Sequence, residues 1–361
     1  MKVYAESAMV ESFAVEDSRT ITSPKILVLG TGQENNGKNN DLSEIIYRLL
    51  KEKNWTVGFP GQELLTRTGY INFTRKLIST LPRYDVIHFH VDSFRTFIRK
   101  ILPSLILSKF FGKKIVLSFT SAEIEFYLDR WGRVLRPVIL LADKILVPSN
   151  YTAEIFNRYG FTADTIPRCI DSRKFSFRAR RDLQPRILVN RSLELKNNIP
   201  CALQAFRLVK QKYPRAELVI AGEGSLRSDL ENIVKADNLS GVYFTGWIRP
   251  EKMLGLLNNT DLYLNPSTID DFPIGIFEAQ AAGLPVVTTD AGGILEMVND
   301  QVNALVVPIN NPGAVAERII NLIENPALAE KLSYQSRSNA EKYDWSKCVD
   351  RLCCLYRDLK H

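Results

Sequence analysis

Short segments rich in β-branched residues alternate with helical stretches along most of the chain, and this alternation constrains the fold more than any other feature. Parallel strands need long, usually helical crossovers, so the pattern predicts parallel, doubly wound sheets. The strand segments form two series, and 361 residues is about twice the length of a typical domain. The first series is 25–29, 55–59, 85–89, 114–119, 144–147 and 162–166, and the second is 186–189, 217–221, 242–245, 262–264, 285–288 and 304–307. We therefore predict an α/β protein with two Rossmann-like domains.

A linker is predicted between the two series, at 170–184, where Arg and Lys are frequent and no strand pattern occurs. In open α/β sheets ligands bind outside the carboxyl ends of the strands. The predicted site is therefore a cleft between the domains, lined by the loops that follow the strands.

The charge of the chain is asymmetric. It carries 47 Lys and Arg against 40 Asp and Glu, and residues 1–177 alone carry 25 basic and 18 acidic residues. The first half thus holds the whole excess of +7 and should attract anionic partners: nucleic acid, acidic lipid headgroups or polyphosphates.

The chain shows no sign of secretion or of a membrane span. The first 23 residues are polar and lack the apolar core of a signal peptide, and the longest apolar runs are far below about 20 residues. The five cysteines form no Cys-x-x-Cys pair and are odd in number, which indicates a reducing compartment. We expect a disordered N-terminal extension and a cytoplasmic protein.

The segment 265–287 carries the most informative motif, Asn-Pro-Ser-Thr-Ile-Asp-Asp-Phe-Pro-Ile-Gly-Ile-Phe-Glu-Ala-Gln-Ala-Ala-Gly-Leu-Pro-Val-Val. A strand ends at Leu264, the loop after it supplies Asp270, and a helix begins near Pro273. The free amides of residues 274–277 should point at an anion, with Glu278 one turn into the helix. The alternative interpretation is that Asp270 only caps the helix and Glu278 is a solvated helix residue.

This motif resembles the signature of the group 1 (family 4) glycosyltransferases of the GT-B type, in which Glu is usual where Asp270 stands. The segment after the first strand of the second series contains Arg191 and Lys196 and resembles the family's Gly-Arg and Lys-Asn pattern, with Asn190 in place of Gly. The segments 219–224 and 242–247, a helix at 315–323 and the terminal run 343–359 extend the resemblance over residues 186–361.

The resemblance implies a GT-B fold, with two Rossmann-like domains facing across a cleft, and a donor site in the second domain. Asp270 and Glu278 would bind the donor sugar and the ribose, and Arg191 and Lys196 the pyrophosphate leaving group. The further donor-binding residues that it implies are Ile274, Gly275, Ile276, Phe277, Trp247 and Gly32. Simple core packing is the alternative for Trp247.

The N-terminal half resembles the family less closely. Residues 85–90 resemble a family strand that ends in His-x-His, which places His90 at the cleft as an acceptor-side or cleft residue. Thr120 stands where many relatives have a His that approaches the donor. The pattern 166–175 resembles the family's domain-closing segment.

The domains predicted from the resemblance are 1–23, a disordered extension; 24–172, an acceptor-binding domain; 173–344, a nucleotide-sugar-binding domain; and 345–361, a helix crossing back to the first domain. A second feature of the first domain is an apolar stretch at 101–111 that basic residues flank. These are Arg95, Arg99, Lys100, Lys109, Lys113 and Lys114. Such a helix could lie on an anionic membrane surface, or could simply cover its own sheet with a basic outer face.

Together these features predict a hexosyltransferase that moves a sugar, with retention of configuration, from a nucleotide-sugar donor to a carbohydrate or lipid-linked acceptor, in surface polysaccharide or glycoconjugate synthesis. No Asp-x-Asp motif or metal-spaced His/Cys cluster occurs, so we expect neither a metal nor a cofactor, and no nucleic acid partner beyond the donor nucleotide. The enzyme would be cytoplasmic, with an anionic membrane surface as a candidate partner. A nucleotide-sugar 2-epimerase of the same fold and a catalytically idle nucleotide-sugar-binding scaffold remain alternatives.

Overall fold

The computed structural model describes residues 23–30, 42–58, 70–91, 97–121 and 123–360, and these form two six-stranded parallel sheets. The predicted extension, apart from residue 23, and Gly32 lie outside the described residues. The first sheet has the strand order β2-β1-β3-β4-β5-β6. Its strands are β1 (Ile26–Leu29), β2 (Val57–Gly58), β3 (Val86–Val91), β4 (Lys114–Phe119), β5 (Lys144–Val147) and β6 (Asp164–Thr165).

The second sheet has the order β12-β11-β10-β7-β8-β9 and the same all-parallel pairing. Its strands are β7 (Arg186–Asn190), β8 (Glu217–Ala221), β9 (Val242–Gly246), β10 (Leu262–Asn265), β11 (Val286–Thr289) and β12 (Leu305–Val307). The predicted α/β class with two doubly wound sheets is therefore confirmed. The predicted strands β2 and β6 are shortened because both are sheet edges with one neighbour each.

Helices cover both faces of each sheet. Those of the first half are α1 (Leu42–Glu52), α2 (Tyr70–Thr80), α3 (Leu102–Phe110), α4 (Ile124–Ile139) and α5 (Asn150–Arg158). Those that follow are α6 (Ile199–Lys212), α7 (Arg227–Ala236), α8 (Pro250–Asn259), α9 (Ile274–Ala281), α10 (Ile294–Met297), α11 (Pro312–Glu324), α12 (Pro326–Lys342) and α13 (Trp345–Asp358).

Amphipathic spacing explains how the helices pack. In α4, the residues Ile124, Leu128, Leu135 and Ile139 recur at intervals of four or seven and are buried against the first sheet, together with residues of α2, α3 and α5. The opposite face of this sheet is covered by α1 and α13, whose Val349, Leu352 and Tyr356 pack with β1. The C-terminal helix thus lies on the N-terminal sheet.

Contacts between the two halves close the cleft on one side. Ser149, the N-cap of α5, donates a hydrogen bond to Asp271 of the second half. The amides of Asn150 and Tyr151 donate to the Glu296 carboxylate at 2.7 and 2.5 Å. A carboxylate at a helix N-terminus is stabilised by the free amides and the helix dipole.

A disulfide joins the two places where the chain passes between the halves. Cys169 and Cys348 are bonded, with their Cα atoms 6.6 Å apart, and Ile170 beside them pairs with Tyr343 and Trp345 through backbone hydrogen bonds. The expectation that the cysteines remain reduced is therefore wrong for this pair. No local sequence pattern indicates this pair, because the two residues are 179 positions apart.

Candidate functional site: a cleft between the two sheets

Two connected hollows occupy the cleft. The larger, which we call the cleft cavity, has a volume of about 610 Å³ and is lined by α1, the linker and the strand ends of the second sheet. The smaller, which we call the inner pocket, has a volume of about 360 Å³. It is lined by Thr120, Ser121, Arg168, Asn190, Arg191, Lys196, Ile269, Asp270, Pro273, Ile274, Gly275 and Glu278. The four residues predicted to hold the donor therefore converge on one pocket.

Arg191 follows β7 and is held in place on two sides. Its Nε and Nη2 donate to the Asn197 Oδ1 at 3.1 and 2.7 Å, and its Nη2 also donates to Asp270. Asn197 is fully buried and donates in turn to the Ser192 carbonyl at 2.7 Å. The guanidinium therefore has a fixed direction before any ligand arrives, and sequence reasoning had assigned no role to Asn197.

Lys196 reaches across the cleft. Its Nζ lies 2.9 Å from Glu123 Oε1, which belongs to the loop before α4 in the other half. Its backbone carbonyl accepts hydrogen bonds from the amides of Thr268 and Ile269, at 2.8 and 3.4 Å. The loop that carries Lys196 and the loop that carries Asp270 are thus fastened to each other.

Asp270 is nearly buried and pairs with Arg191. Its Oδ1 accepts a hydrogen bond from the Asp271 amide at 3.1 Å. Helix α9 has Pro273 at its N-cap and no side chain caps it. Asp270 is therefore not a helix cap, and its carboxylate faces the inner pocket beside a cation.

Glu278 lies one turn into α9 and lines both hollows. Burial raises the pKa of its carboxyl to about 7, although the nearby Arg168 guanidinium opposes this shift. A carboxyl with a pKa near 7 exists in both protonation states at neutral pH. Its affinity for hydroxyl donors should therefore depend on pH.

The N-terminus of α9 contributes fewer groups than predicted. Ile274 and Gly275 line the inner pocket. The amide of Ile276 instead donates to the Pro273 carbonyl at 3.1 Å, and the side chains of Ile276 and Phe277 are fully buried. Phe277 stacks on Tyr343 with ring centroids 4.2 Å apart. The Ile276 amide is thus already hydrogen-bonded within the helix, and the side chains of both residues belong to the core, while the predicted donor contact of the Phe277 amide stays a prediction.

Trp247, directly after β9, lines the cleft cavity and a neighbouring hollow of about 280 Å³ that also borders Arg191 and Lys196. It is half-buried and belongs to none of the core clusters among the described residues. Gly222 packs so closely on the Arg191 carbonyl that a Cβ there would collide with it. This contact explains the glycine after β8 without any direct ligand role.

The N-terminal wall is arranged differently from the prediction. Thr120, after β4, lines the inner pocket, but His90 lies within β3, is only 5% exposed and does not line the described hollows. Its Nε2 contacts the Thr120 hydroxyl at 3.5 Å, and burial lowers its pKa to about 3, with Arg168 contributing. His90 can therefore act on the cleft only through Thr120, because the strand buries it one residue before its end.

Arg168 is a site residue that sequence reasoning missed. It lies just after β6 and lines both hollows. The available signal was its position in the segment 166–175, directly before the linker. Among the described residues, no group of three or more His, Cys, Asp or Glu side chains is arranged to hold a metal ion.

Comparison with known proteins finds similarity to glycosyltransferases. The sequence profile described as "Glycosyl transferases group 1" matches residues 171–339. An uncharacterised glycosyltransferase of Methanocaldococcus jannaschii is 30% identical over 140 residues, 39% of this chain and 40% of that protein. The sulfoquinovosyl transferase of Arabidopsis thaliana is 24% identical over 77% of this chain and 58% of its own length. The phosphatidyl-myo-inositol mannosyltransferase of Mycobacterium tuberculosis is 25% identical over 76% of this chain and 73% of its own length. The matched part of the chain therefore spans about two fifths of the length of the M. jannaschii protein and under three fifths of the length of the A. thaliana protein.

Solved structures agree on the fold. Sucrose-phosphate synthase from Thermosynechococcus elongatus superposes with a TM-score of 0.74 at 18% identity, covering 93% of this chain and 99% of that one. Anabaena HepE in complex with UDP-glucose also gives a TM-score of 0.74, at 17% identity, with coverages of 92% and 99%. With the motif loops gathered at one pocket, residues 171–339 match the group 1 glycosyltransferase family, and the chain has the GT-B fold.

Proposed function

We propose that the protein transfers a hexosyl group from a nucleotide-sugar donor to a carbohydrate or lipid-linked acceptor in surface polysaccharide or glycoconjugate synthesis. The observation that carries this proposal is the convergence of Arg191, Lys196, Asp270 and Glu278 on the inner pocket, beside the uncapped start of α9. The names of the relatives, which include a mannosyltransferase and a sulfoquinovosyl transferase, support a sugar as the transferred group.

In this proposal each polar group has a separate task. Arg191, Lys196 and the amides of Ile274 and Gly275 hold the diphosphate and stabilise its charge as it leaves. Glu278 accepts hydrogen bonds from the ribose hydroxyls, Asp270 from the transferred sugar, and Trp247 lies near the base. We place the nucleotide in domain 173–344 and the acceptor against domain 24–172.

We further propose that transfer retains the anomeric configuration. The bond from the anomeric carbon to the diphosphate breaks, the acceptor oxygen bonds on the same face, and a departing phosphate oxygen takes the acceptor proton. This route assigns no proton transfer to His90, whose low pKa makes it a weak base at neutral pH. It also needs no metal ion, since Arg191 and Lys196 supply the positive charge.

A donor panel tests the proposal. The protein is titrated calorimetrically with nucleoside diphosphates and nucleotide sugars, and each mixture is then analysed for hydrolysed donor, with and without EDTA. A transferase should bind the nucleotides of one base and slowly hydrolyse the matching nucleotide sugar. The released sugar should keep the anomeric configuration of the donor, and EDTA should not change the rate. Conversion of the donor to its 2-epimer would indicate the epimerase, and binding without turnover the scaffold.

Membrane attachment is a second proposal, and a specific surface favours it. Helices α3 and α4 cover the same face of the first sheet and expose apolar side chains to solvent. We call this surface the α3–α4 patch; it comprises Ile106, Phe110, Phe126, Trp131 and Val134, of which Phe110 is 87% exposed and Val134 68%. Exposed Arg130 and Arg133 lie among these residues on α4.

The basic residues predicted for this role are only partly available. Lys109 and Lys114 both pair with Asp143, at 2.9 and 3.6 Å, while Arg95 and the side chains of Arg99 and Lys100 lie outside the described residues. We therefore propose that the α3–α4 patch, with Arg130 and Arg133 as its cations, rests on an anionic lipid surface. Among the described residues, no helix is long and apolar enough to span a bilayer.

Flotation with vesicles tests this attachment. The protein should float with vesicles that contain phosphatidylglycerol and remain behind with neutral vesicles or in high salt. Phe110→Ser with Val134→Ser should reduce flotation, whereas Tyr243→Ser, an exposed aromatic of the second domain, should not. Equal flotation of the double variant would show that the patch is not the attachment surface.

A further inference from the structure

Arg168 is the one cation of the inner pocket to which the proposed transfer assigns no task. It comes from the N-terminal side of the cleft, together with Thr120 and Ser121, and faces the wall that carries Arg191, Lys196 and Glu278. It also borders the cleft cavity, so a ligand that extends from one hollow into the other would pass it.

The other two cations of the pocket are paired, whereas Arg168 is not. Arg191 donates to Asn197 and Asp270, and Lys196 pairs with Glu123. Arg168 forms no hydrogen bond or salt bridge with any described residue, and its Nε is shielded from solvent. An unpaired buried guanidinium nitrogen costs free energy, and because Arg168 also lines both hollows, its guanidinium has further N–H donors to offer a ligand there.

The charges around Arg168 are already matched in other ways. Burial lowers its pKa, and Asp270, Asp271 and Glu278 oppose this shift from a distance. Of these carboxylates, Asp270 is paired with Arg191 and Asp271 with Ser149, and the pKa of Glu278 near 7 leaves it only partly ionised. A planar guanidinium in this position suits a carboxylate or phosphate group, which can accept two of its hydrogen bonds.

The donor diphosphate is not the best partner for Arg168, because Arg191, Lys196 and the start of α9 already converge on it from the opposite wall. We propose that Arg168 binds a second anionic group, a carboxylate or phosphate carried by a sugar in the cleft, so that the enzyme prefers an acidic carbohydrate. This inference rests on the proposed function. The anionic group belongs either to the transferred sugar or to the acceptor, and the experiment distinguishes the two sources.

The donor arm compares UDP, UDP-glucose and UDP-glucuronate by calorimetry, or the corresponding compounds of whichever base binds. The two sugars differ only in the C6 carboxylate. If the transferred sugar carries the anion, the unmodified protein should bind the glucuronate at least about tenfold more tightly than the glucoside, the effect of one charged hydrogen bond. In Arg168→Gln this preference should vanish while the affinity for UDP stays within about twofold.

The acceptor arm titrates glucuronate, glucose 6-phosphate and glucose into the protein saturated with UDP. If the acceptor carries the anion, the two acidic sugars should bind more tightly than glucose, and Arg168→Gln should remove the difference. Arg168→Lys should retain part of the preference in whichever arm shows it. Arg181→Gln, the same change at an exposed position outside the described hollows, should leave both arms unaltered.

Two results would overturn the inference. One is the absence of any preference for acidic sugars by the unmodified protein in both arms, which needs no variant and so does not depend on folding. The other is a loss of UDP affinity in Arg168→Gln as large as the loss for UDP-glucuronate, since Arg168 would then serve the diphosphate or hold Glu278. Failure of every nucleoside diphosphate to bind would instead contradict the proposed function, so the two failures are distinguishable.

Discussion

The two walls of the cleft are built from the same kind of sheet but hold their polar groups in opposite ways. On the C-terminal wall, Arg191 is fixed by Asn197 and Asp270, and the loop of Lys196 is tied to the loop of Asp270. On the N-terminal wall, His90 is buried and nearly uncharged, and Arg168 has no hydrogen-bond partner among the described residues. Under the proposed function, the donor side is organised before binding and the acceptor side is completed by a substrate.

Among the variants that test this comparison of the two walls, the largest loss of activity is expected at Asp270. Asp270→Asn keeps the size of the side chain but removes the charge proposed to position the transferred sugar. We expect the transfer rate to fall about 100-fold or more, since orientation and transition-state charge are both affected. Binding of the nucleoside diphosphate should be unchanged or slightly tighter, because Arg191 loses a competing carboxylate.

Measuring transfer and diphosphate affinity on the same preparations separates these effects. Asp182→Asn, at an exposed residue outside the described hollows, is the matched control. Full transfer activity of Asp270→Asn would show that this carboxylate only holds Arg191. Asp270→Glu measures reach: if the pocket is built for the shorter side chain, the extra methylene should impair transfer.

The next largest effect is a loss of diphosphate affinity, expected at Arg191. Arg191→Gln should weaken nucleoside diphosphate binding about ten- to hundredfold, the loss of a charge-assisted contact. Arg186→Gln changes the same residue type at the opposite end of β7 and should bind normally. Calorimetry measures the affinity of each variant for the nucleoside diphosphate. Equal affinities of the two variants would place the diphosphate away from the C-terminal wall.

A smaller, pH-dependent effect is expected at Glu278. In the proposed donor complex its ionised carboxylate accepts hydrogen bonds from both ribose hydroxyls, and protonation removes one acceptor. With a pKa of about 7, affinity for a nucleotide sugar should therefore fall several-fold between pH 8 and pH 6. A nucleotide sugar is the ligand to use, because its diphosphate lacks the terminal phosphate ionisation that free diphosphates undergo near pH 6.

Glu278→Gln should bind with an affinity that does not change over the same range. His88 and His90 cannot supply the effect, because burial lowers the pKa of each to about 3. A pH dependence that persists in the glutamine variant would assign the titrating group elsewhere.

The contrast between the walls also explains how far the sequence could lead. The C-terminal wall was predictable because Arg191 and Asp270 closely follow strands and Glu278 lies in the next helix, and because the motif that carries them resembles a family signature. Strand boundaries were reliable in the sheet centre, as at β4, and least reliable at the edges, as at β2.

The features that sequence reasoning missed depend on distant contacts. Glu123 reaches Lys196 only because the two halves face each other, and Cys169 meets Cys348 only where both crossings run side by side. His90 was placed in the cleft because it stands near a strand end, yet one residue decides whether a side chain is buried or exposed. Side chains alternate between the two faces of a strand, so an error of one residue places a side chain on the wrong face.

The smallest predicted effect would sharpen the comparison where an ion pair joins the two walls beside the inner pocket. Lys196, proposed for the diphosphate, is paired with Glu123 of the N-terminal wall, so a bound diphosphate has to compete with that carboxylate. Both side chains are partly exposed, and such pairs contribute only about 0.2–1 kcal/mol. Glu123→Gln should therefore tighten nucleoside diphosphate binding by at most about fivefold. Glu125→Gln, in the first turn of α4 and paired with Arg158 instead, should leave it unchanged. Weaker binding in Glu123→Gln would show that the carboxylate presents Lys196 to the ligand rather than competing for it, and that the donor side is completed by the N-terminal wall.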